Sequence, residues 1–122
     1  MKLPLRLRLL NINLFLDGKY YLTDLDGYVK MANECLEHLD KPYTKDKFDC
    51  DDFSATLYAY ARYKYGINGV ARVIDFMAKH SYNLIYTTDC KVYILEPQTA
   101  EVIEINNRDK KMYSLLGCLI IW

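Results

Sequence analysis

Leu3, Leu5, Leu7 and Leu9 alternate with Lys2, Pro4, Arg6 and Arg8 at the start of the chain. This is the period of a strand with one buried face. In "NINLFLDGKYYL" the Asp17-Gly18 pair separates apolar stretches. It predicts a hairpin, because both central positions of a type I′ turn need positive φ. The period then changes. Leu25, Tyr28, Val29, Ala32, Cys35, Leu36 and Leu39 share one helical face, with Thr23 or Asp24 as cap. After the loop "KPYTKDKF", "DCDDFSATLYAYARYKY" predicts a second helix that stops at Gly66. Its stripe of Cys50, Phe53, Leu57 and Ala61 packs on the sheet. From Val70 onward strand formers dominate: "VARVIDFM", "SYNLIYTT", "KVYILEPQ", "AEVIEI" and the terminal "LLGCLIIW". Helices followed by strands imply an α+β fold with an antiparallel sheet rather than alternating α/β. "NNRDKK" reads as a solvated loop. Trp122 at the end of an apolar strand implies a buried tail, in this sheet or against another copy.

The chain has 122 residues, which suits one domain over 1–122. Sixteen basic and sixteen acidic residues cancel, so charge gives no argument for a nucleic-acid or anionic-membrane partner. Lys2, Arg6 and Arg8 interrupt the first leucines, against a signal peptide. No run approaches the roughly 18 apolar residues of a membrane span. Cys35, Cys50, Cys90 and Cys118 show no CxxC spacing for zinc. Reduced thiols and a cytoplasmic location are the expectation.

Candidate chemistry centres on "FDCDDFS". Asp49 as N-cap, with Asp51 and Asp52 in the first turn, places carboxylates where free N–H groups and the helix dipole favour them. Cys50 is then small apolar filler, as free cysteines commonly are. The same position also stabilises a thiolate, and nucleophilic cysteines are found there. Of two histidines, His38 sits near a helix C-terminus and reads as solvent-facing. His80 opens "HSYNLIY", sharing a strand face with Tyr82, Leu84 and Tyr86. Glu96 in "VYILEPQ" is an odd carboxylate among apolar neighbours. With a hairpin loop of residues 88–90 His80 stands opposite Gln98, and with 87–89 opposite Glu96; either register puts an acid or amide near the imidazole. The arrangement suggests Cys50 as nucleophile, His80 as base and Glu96 as the group orienting it.

Cysteine at a helix start in "FDCDDFS", histidine opening a strand in "HSYN" and an acid before proline in "EPQT" resemble the papain-like and transglutaminase-like cysteine proteases. The wording is most similar to the calcium-dependent protease domain of the fairy-ring mushroom agglutinin and its small microbial relatives. The resemblance covers about Tyr43 to Thr99. It implies a papain-like/transglutaminase-like core, a catalytic helix on an antiparallel sheet, with Cys50, His80 and Glu96 catalytic. The expected activity is a cysteine peptidase or acyltransferase acting on a peptide or protein substrate. It further implies calcium held by Asp51, Asp52, Glu96 and Gln98. A cation would offset the like charges beside the thiol. One departure stands out: Gln98 is the only glutamine, so the oxyanion donor would come from backbone N–H groups near Cys50 plus Tyr43 or Asn83. The rival expectation is a non-enzymatic interaction protein that reuses the fold to bind a partner, with an exposed apolar patch around "LLGCLIIW".

Overall fold

The computed structural model describes residues 1–122. In chain order the elements are α1 (Leu5–Leu10), β1 (Ile12–Leu14), α2 (Leu25–His38), α3 (Cys50–Tyr65), β2 (Val70–Asp75), β3 (His80–Tyr86), β4 (Val92–Glu96), β5 (Glu101–Glu104) and β6 (Leu119–Ile121), with a 3₁₀ turn at Ile105–Asn107 before β6. One six-stranded sheet has the order β1-β6-β2-β3-β4-β5. The fold is a small α+β domain, and its sheet is mixed rather than antiparallel throughout: β1 runs parallel to β6, with Ile12 paired to Leu119 and Leu14 to Ile121.

Local chemistry sets the helix ends. The Asp24 side chain accepts the Gly27 N–H at 2.8 Å and starts α2. A capping box between Asp49 and Asp52 starts α3. Gly66 ends it in the left-handed region (φ 65°), where its N–H reaches back to the Arg62 carbonyl. The β3–β4 hairpin closes through residues 88–90, with Cys90 at φ 61° in the position that usually favours glycine.

Both faces of the sheet are covered. Tyr28, Met31 and Cys35 of α2 and Leu57 and Ala61 of α3 pack with Val70, Ile85 and Leu95 on one face. On the other, Leu3 and Leu7 join Val73, Tyr82, Leu84, Ile94 and the C-terminal Tyr113, Leu115, Cys118, Ile120 and Trp122. β3 is therefore buried on both sides.

Two expectations are corrected, and one open alternative is decided. The leucine alternation forms helix α1, not a strand. Leu3, just ahead of the Pro4 cap, and Leu7 are buried while Leu5 and Leu9 face out, because residues spaced by two also fall at the i, i+4 spacing of a helix, as Leu5 and Leu9 do. Pro4, before the first turn, accepts the Arg8 N–H. Asp17-Gly18 closes no hairpin. Asn68 takes the place of a partner strand there, accepting the Tyr21 N–H and donating to Asp17 Oδ2 and the Lys19 carbonyl. The tail is buried in its own sheet, where Trp122 Nε1 donates to Asn13 Oδ1 at 3.0 Å and the Trp122 N–H to the Leu14 carbonyl.

Candidate functional site

Cys50 opens α3 and is partly buried. One turn on, Ser54 Oγ donates to the Tyr82 carbonyl at 2.9 Å. Asn83 Nδ2 donates back to the Ser54 carbonyl at 3.1 Å and to the Ala71 carbonyl at 3.0 Å. These bonds lay α3 along β3 with its N-terminus toward the His80 end. They also occupy the Asn83 amide N–H groups, and Tyr43 is exposed, so neither is set up as an oxyanion donor.

Around Cys50, the carboxylates of Asp49, Asp51 and Asp52 come within 4.8 Å of one another. Asp52 Oδ2 accepts the Asp49 N–H at 3.1 Å, and Asp49 Oδ2 accepts the Asp46 N–H at 3.1 Å. The hydrogen bond between the Asp49 and Asp51 side chains raises the Asp51 pKa, reinforced by burial and by repulsion from Asp52. The same bond, with the Asp46 N–H, lowers that of Asp49.

His80 and Glu96 meet on the sheet face away from α3. His80 Nε2 lies 2.8 Å from Glu96 Oε2. Asn83 pairs with Leu95 and Tyr86 with Val92, the register of an 88–90 loop; β4 ends at Glu96 and Gln98 lies in the turn after it, so His80 meets Glu96 beyond the paired residues. Tyr113 donates to the same Oε2 at 2.9 Å, and the Gln98 N–H to Oε1 at 3.3 Å. Both Glu96 oxygens are thus engaged by protein donors, and neither Glu96 nor Gln98 belongs to the aspartate cluster. The His80 ring packs 5.6 Å from both Tyr82 and Tyr113. Cys50 sits in the helix layer, and no hydrogen bond joins its thiol to His80.

Sequence reasoning missed Tyr113 and the larger network beside it. Asp75, 1% exposed, accepts from Tyr82 OH (2.7 Å), Ser114 Oγ (2.6 Å) and the Ser114, Ala78 and Leu115 N–H groups. Burial alone would raise its pKa, but the donors from Ser114, Ala78 and Tyr82 outweigh it and the net direction is down. Burial pushes the Tyr113 hydroxyl up, reinforced by Glu96, and so keeps it a donor. The nearby Cys118 thiol is pushed up to about 11, first by burial and then by Asp75. A signal for Asp75 existed: it alternates with Ala71 and Val73 in "VARVID", as Glu96 does among apolar residues in β4.

Two surface features complete the description. Leu9, Leu10, Ile12, Leu14, Phe15 and Leu16 are all exposed, at 43–69%, around the edge strand β1. The expected patch at "LLGCLIIW" is instead largely buried, with Cys118, Ile120 and Trp122 at 0%. A cavity of about 840 Å³ opens between α1, β4 and the segment from Glu104 to Leu116. No helix is long and apolar enough to cross a membrane.

No family model and no curated protein matches the chain. Among solved structures, one described as "PSL1a-E64 complex" superposes with a TM-score of 0.71 at 18% identity, over 97% of this chain and 46% of that one. A second is the Polyporus squamosus lectin bound to the human-type influenza-binding epitope Neu5Aca2-6Galb1-4GlcNAc, with a TM-score of 0.62 at 18% identity, over 91% of this chain and 42% of that one. The chain thus spans less than half of either neighbour, and the likeness is one of fold.

These comparisons correct the resemblance to papain-like and transglutaminase-like cysteine proteases, the fairy-ring mushroom agglutinin domain included. With it goes the reading as a thiol protease or acyltransferase: the neighbour described by its ligand class is a lectin bound to a glycan, and no family model of any kind matches the chain. The structure supplies another physical reason for each motif. In "FDCDDFS" the acids cap α3. In "HSYN" Tyr82 anchors Asp75, and Asn83 ties the sheet to α3. In "EPQT" Glu96 closes the β4–β5 turn, its carbonyl accepting the Ala100 N–H at 2.8 Å.

Proposed function

We propose that this chain is a non-catalytic binding domain that docks an extended apolar segment of a partner protein along the free edge of β1. The carrying observation is that edge. The Ile12 and Leu16 N–H groups and the Leu14 carbonyl bond toward β6 and the tail, which leaves the backbone groups of Asn13 and Phe15 on the open side. Exposed sheet edges template strand addition, with main-chain bonds giving affinity and alternate side chains specificity. Ile12 and Leu14 are 64% and 43% exposed, and no charged residue blunts the edge between Leu9 and Leu16. In this reading a papain-like helix-on-sheet arrangement, α3 along β3, is scaffold. Cys50, His80 and Glu96 hold the helix start and the sheet face in place.

Random-peptide display tests it. The expected result is enrichment of extended sequences with alternating apolar residues, whose binding is lost in Ile12→Asp and Leu14→Asp but kept in Cys50→Ala. No enrichment, or binding indifferent to the edge substitutions, overturns the reading. So does E64 adding covalently to Cys50 together with turnover of a peptide.

A second reading is favoured by one observation, the glycan on the Polyporus squamosus neighbour: that this chain binds sialylated glycans. A glycan array containing that trisaccharide decides it, and absence of binding rejects it. Calcium belongs to the proposal only at Asp49, Asp51 and Asp52, whose oxygens suit a hard cation. A melting temperature that is the same in calcium and in chelator removes it.

A further inference from the structure

The cavity beneath α1 borders the β1 edge at Leu10, but none of Ile12, Leu14, His80 and Glu96 lines it. Its floor is apolar, with Leu7 and Leu115 buried and Leu10 and Ile105 on the walls. Its size, about 840 Å³, falls in the range of roughly 300–1,000 Å³ that suits a small molecule rather than a folded partner. Its charge is one-sided. Arg6, Lys91, Arg108 and Lys110 line it against a single carboxylate, Glu104. Lys91 is paired with Asp89 at 3.7 Å, and Glu104 accepts from Asn107 Nδ2 at 3.1 Å. Arg6, Arg108 and Lys110 have no carboxylate within ion-pair distance.

Arg108 is held in place without being neutralised. Its three nitrogens donate to the carbonyls of Tyr113 (2.7 Å), Ile105 (2.8 Å) and Ser114 (3.1 Å). A guanidinium carries five N–H donors, so two remain. One is left on each terminal nitrogen, available to a carboxylate.

We propose that this cavity binds a long-chain carboxylate, its tail against Leu7, Leu10, Ile105 and Leu115 and its headgroup at Arg6, Arg108 and Lys110. Charge complementarity selects the anion, and the apolar floor selects the chain. The proposal does not depend on the β1-edge reading.

Titration calorimetry with dodecanoate, dodecanol and acetate tests it on the intact chain. Dodecanoate is expected to saturate one site, dodecanol to bind at least about tenfold more weakly, and acetate not to bind. The Arg6→Glu/Lys110→Glu double variant alters two exposed side chains and is expected to keep the parent melting temperature. It should lose dodecanoate affinity by about tenfold or more while leaving dodecanol unchanged. Absence of dodecanoate binding, equal affinity for dodecanol, or indifference to the double charge reversal overturns the proposal. An acetate affinity equal to that of dodecanoate reduces the site to an anion contact and overturns it as well.

Discussion

The two faces of the sheet are covered by different kinds of chain, and the difference explains where the charges went. On one face α2 and α3 satisfy their own backbone groups, so the contact with Val70, Ile85 and Leu95 is mainly apolar, crossed by the Tyr28, Ser54 and Asn83 hydrogen bonds rather than by a buried carboxylate. On the other the cover is one six-residue helix and the irregular segment that leads into β6. That segment brings N–H groups and carbonyls with no partner of its own. Asp75 accepts the Ser114 and Leu115 N–H groups, and Arg108 collects the carbonyls of Ile105, Tyr113 and Ser114. A buried carboxylate is costly unless its lone pairs are filled, and an irregular cover supplies the donors that fill them. Glu96, with Tyr113 and the Gln98 N–H, repeats the solution on a smaller scale.

The comparison breaks hardest at Asp75. Asp75→Ala strands five donors and is expected to cost about 4 kcal/mol, read as the urea midpoint and unfolding free energy. On the helix-covered face Leu57→Ala is expected to cost about 3 kcal/mol, through a cavity. A smaller loss at Asp75 than at Leu57 would mean that the irregular cover contributes little to stability.

Acid sharpens the same contrast. The Asp75 pKa is lower folded than unfolded. Its stabilisation is therefore complete above the unfolded value of about 3.9 and is lost as pH falls through the lower folded value. Asp75→Asn is expected to flatten that acid limb in denaturant titrations below about pH 4, whereas Leu57→Ala shifts the curve without changing its slope.

The next effect is smaller. Asp49→Ala removes the cap of α3 and is expected to cost about 1 kcal/mol, with the network around Asp75 untouched. Smallest is the thiol pattern, which reads both covers without perturbing either. Cys35 under the helices and Cys118 under the irregular segment are each pushed up to about 11 by burial. Iodoacetamide at neutral pH should label exposed Cys90 first and reach both buried thiols only on unfolding. Early labelling of Cys118 but not Cys35 would show that the irregular cover opens on its own.

What the residues determined alone was local. The span from Asp49 to Gly66 was legible because a capping box and a left-handed glycine act within one turn of chain. The strands from Val70 to Glu104 were legible because short hairpins join them, and one such loop put His80 near either Glu96 or Gln98, a choice that loop length alone left open. The leucines at 3 to 9 were not, because spacing by two is ambiguous until burial chooses between a strand and a short helix that buries Leu7, with Leu3 just ahead of its cap. Nor was the partner of β1: a parallel pair with residues 119–121 needs the whole chain to return, and no neighbouring residue announces it. Tyr113 joined Glu96 only because Asp75 and Arg108 hold an aperiodic segment against the sheet. Local patterns encode hydrogen bonds made within a few residues. Bonds across about forty residues, such as Asp75 to Ser114, exist only once the tertiary structure has formed.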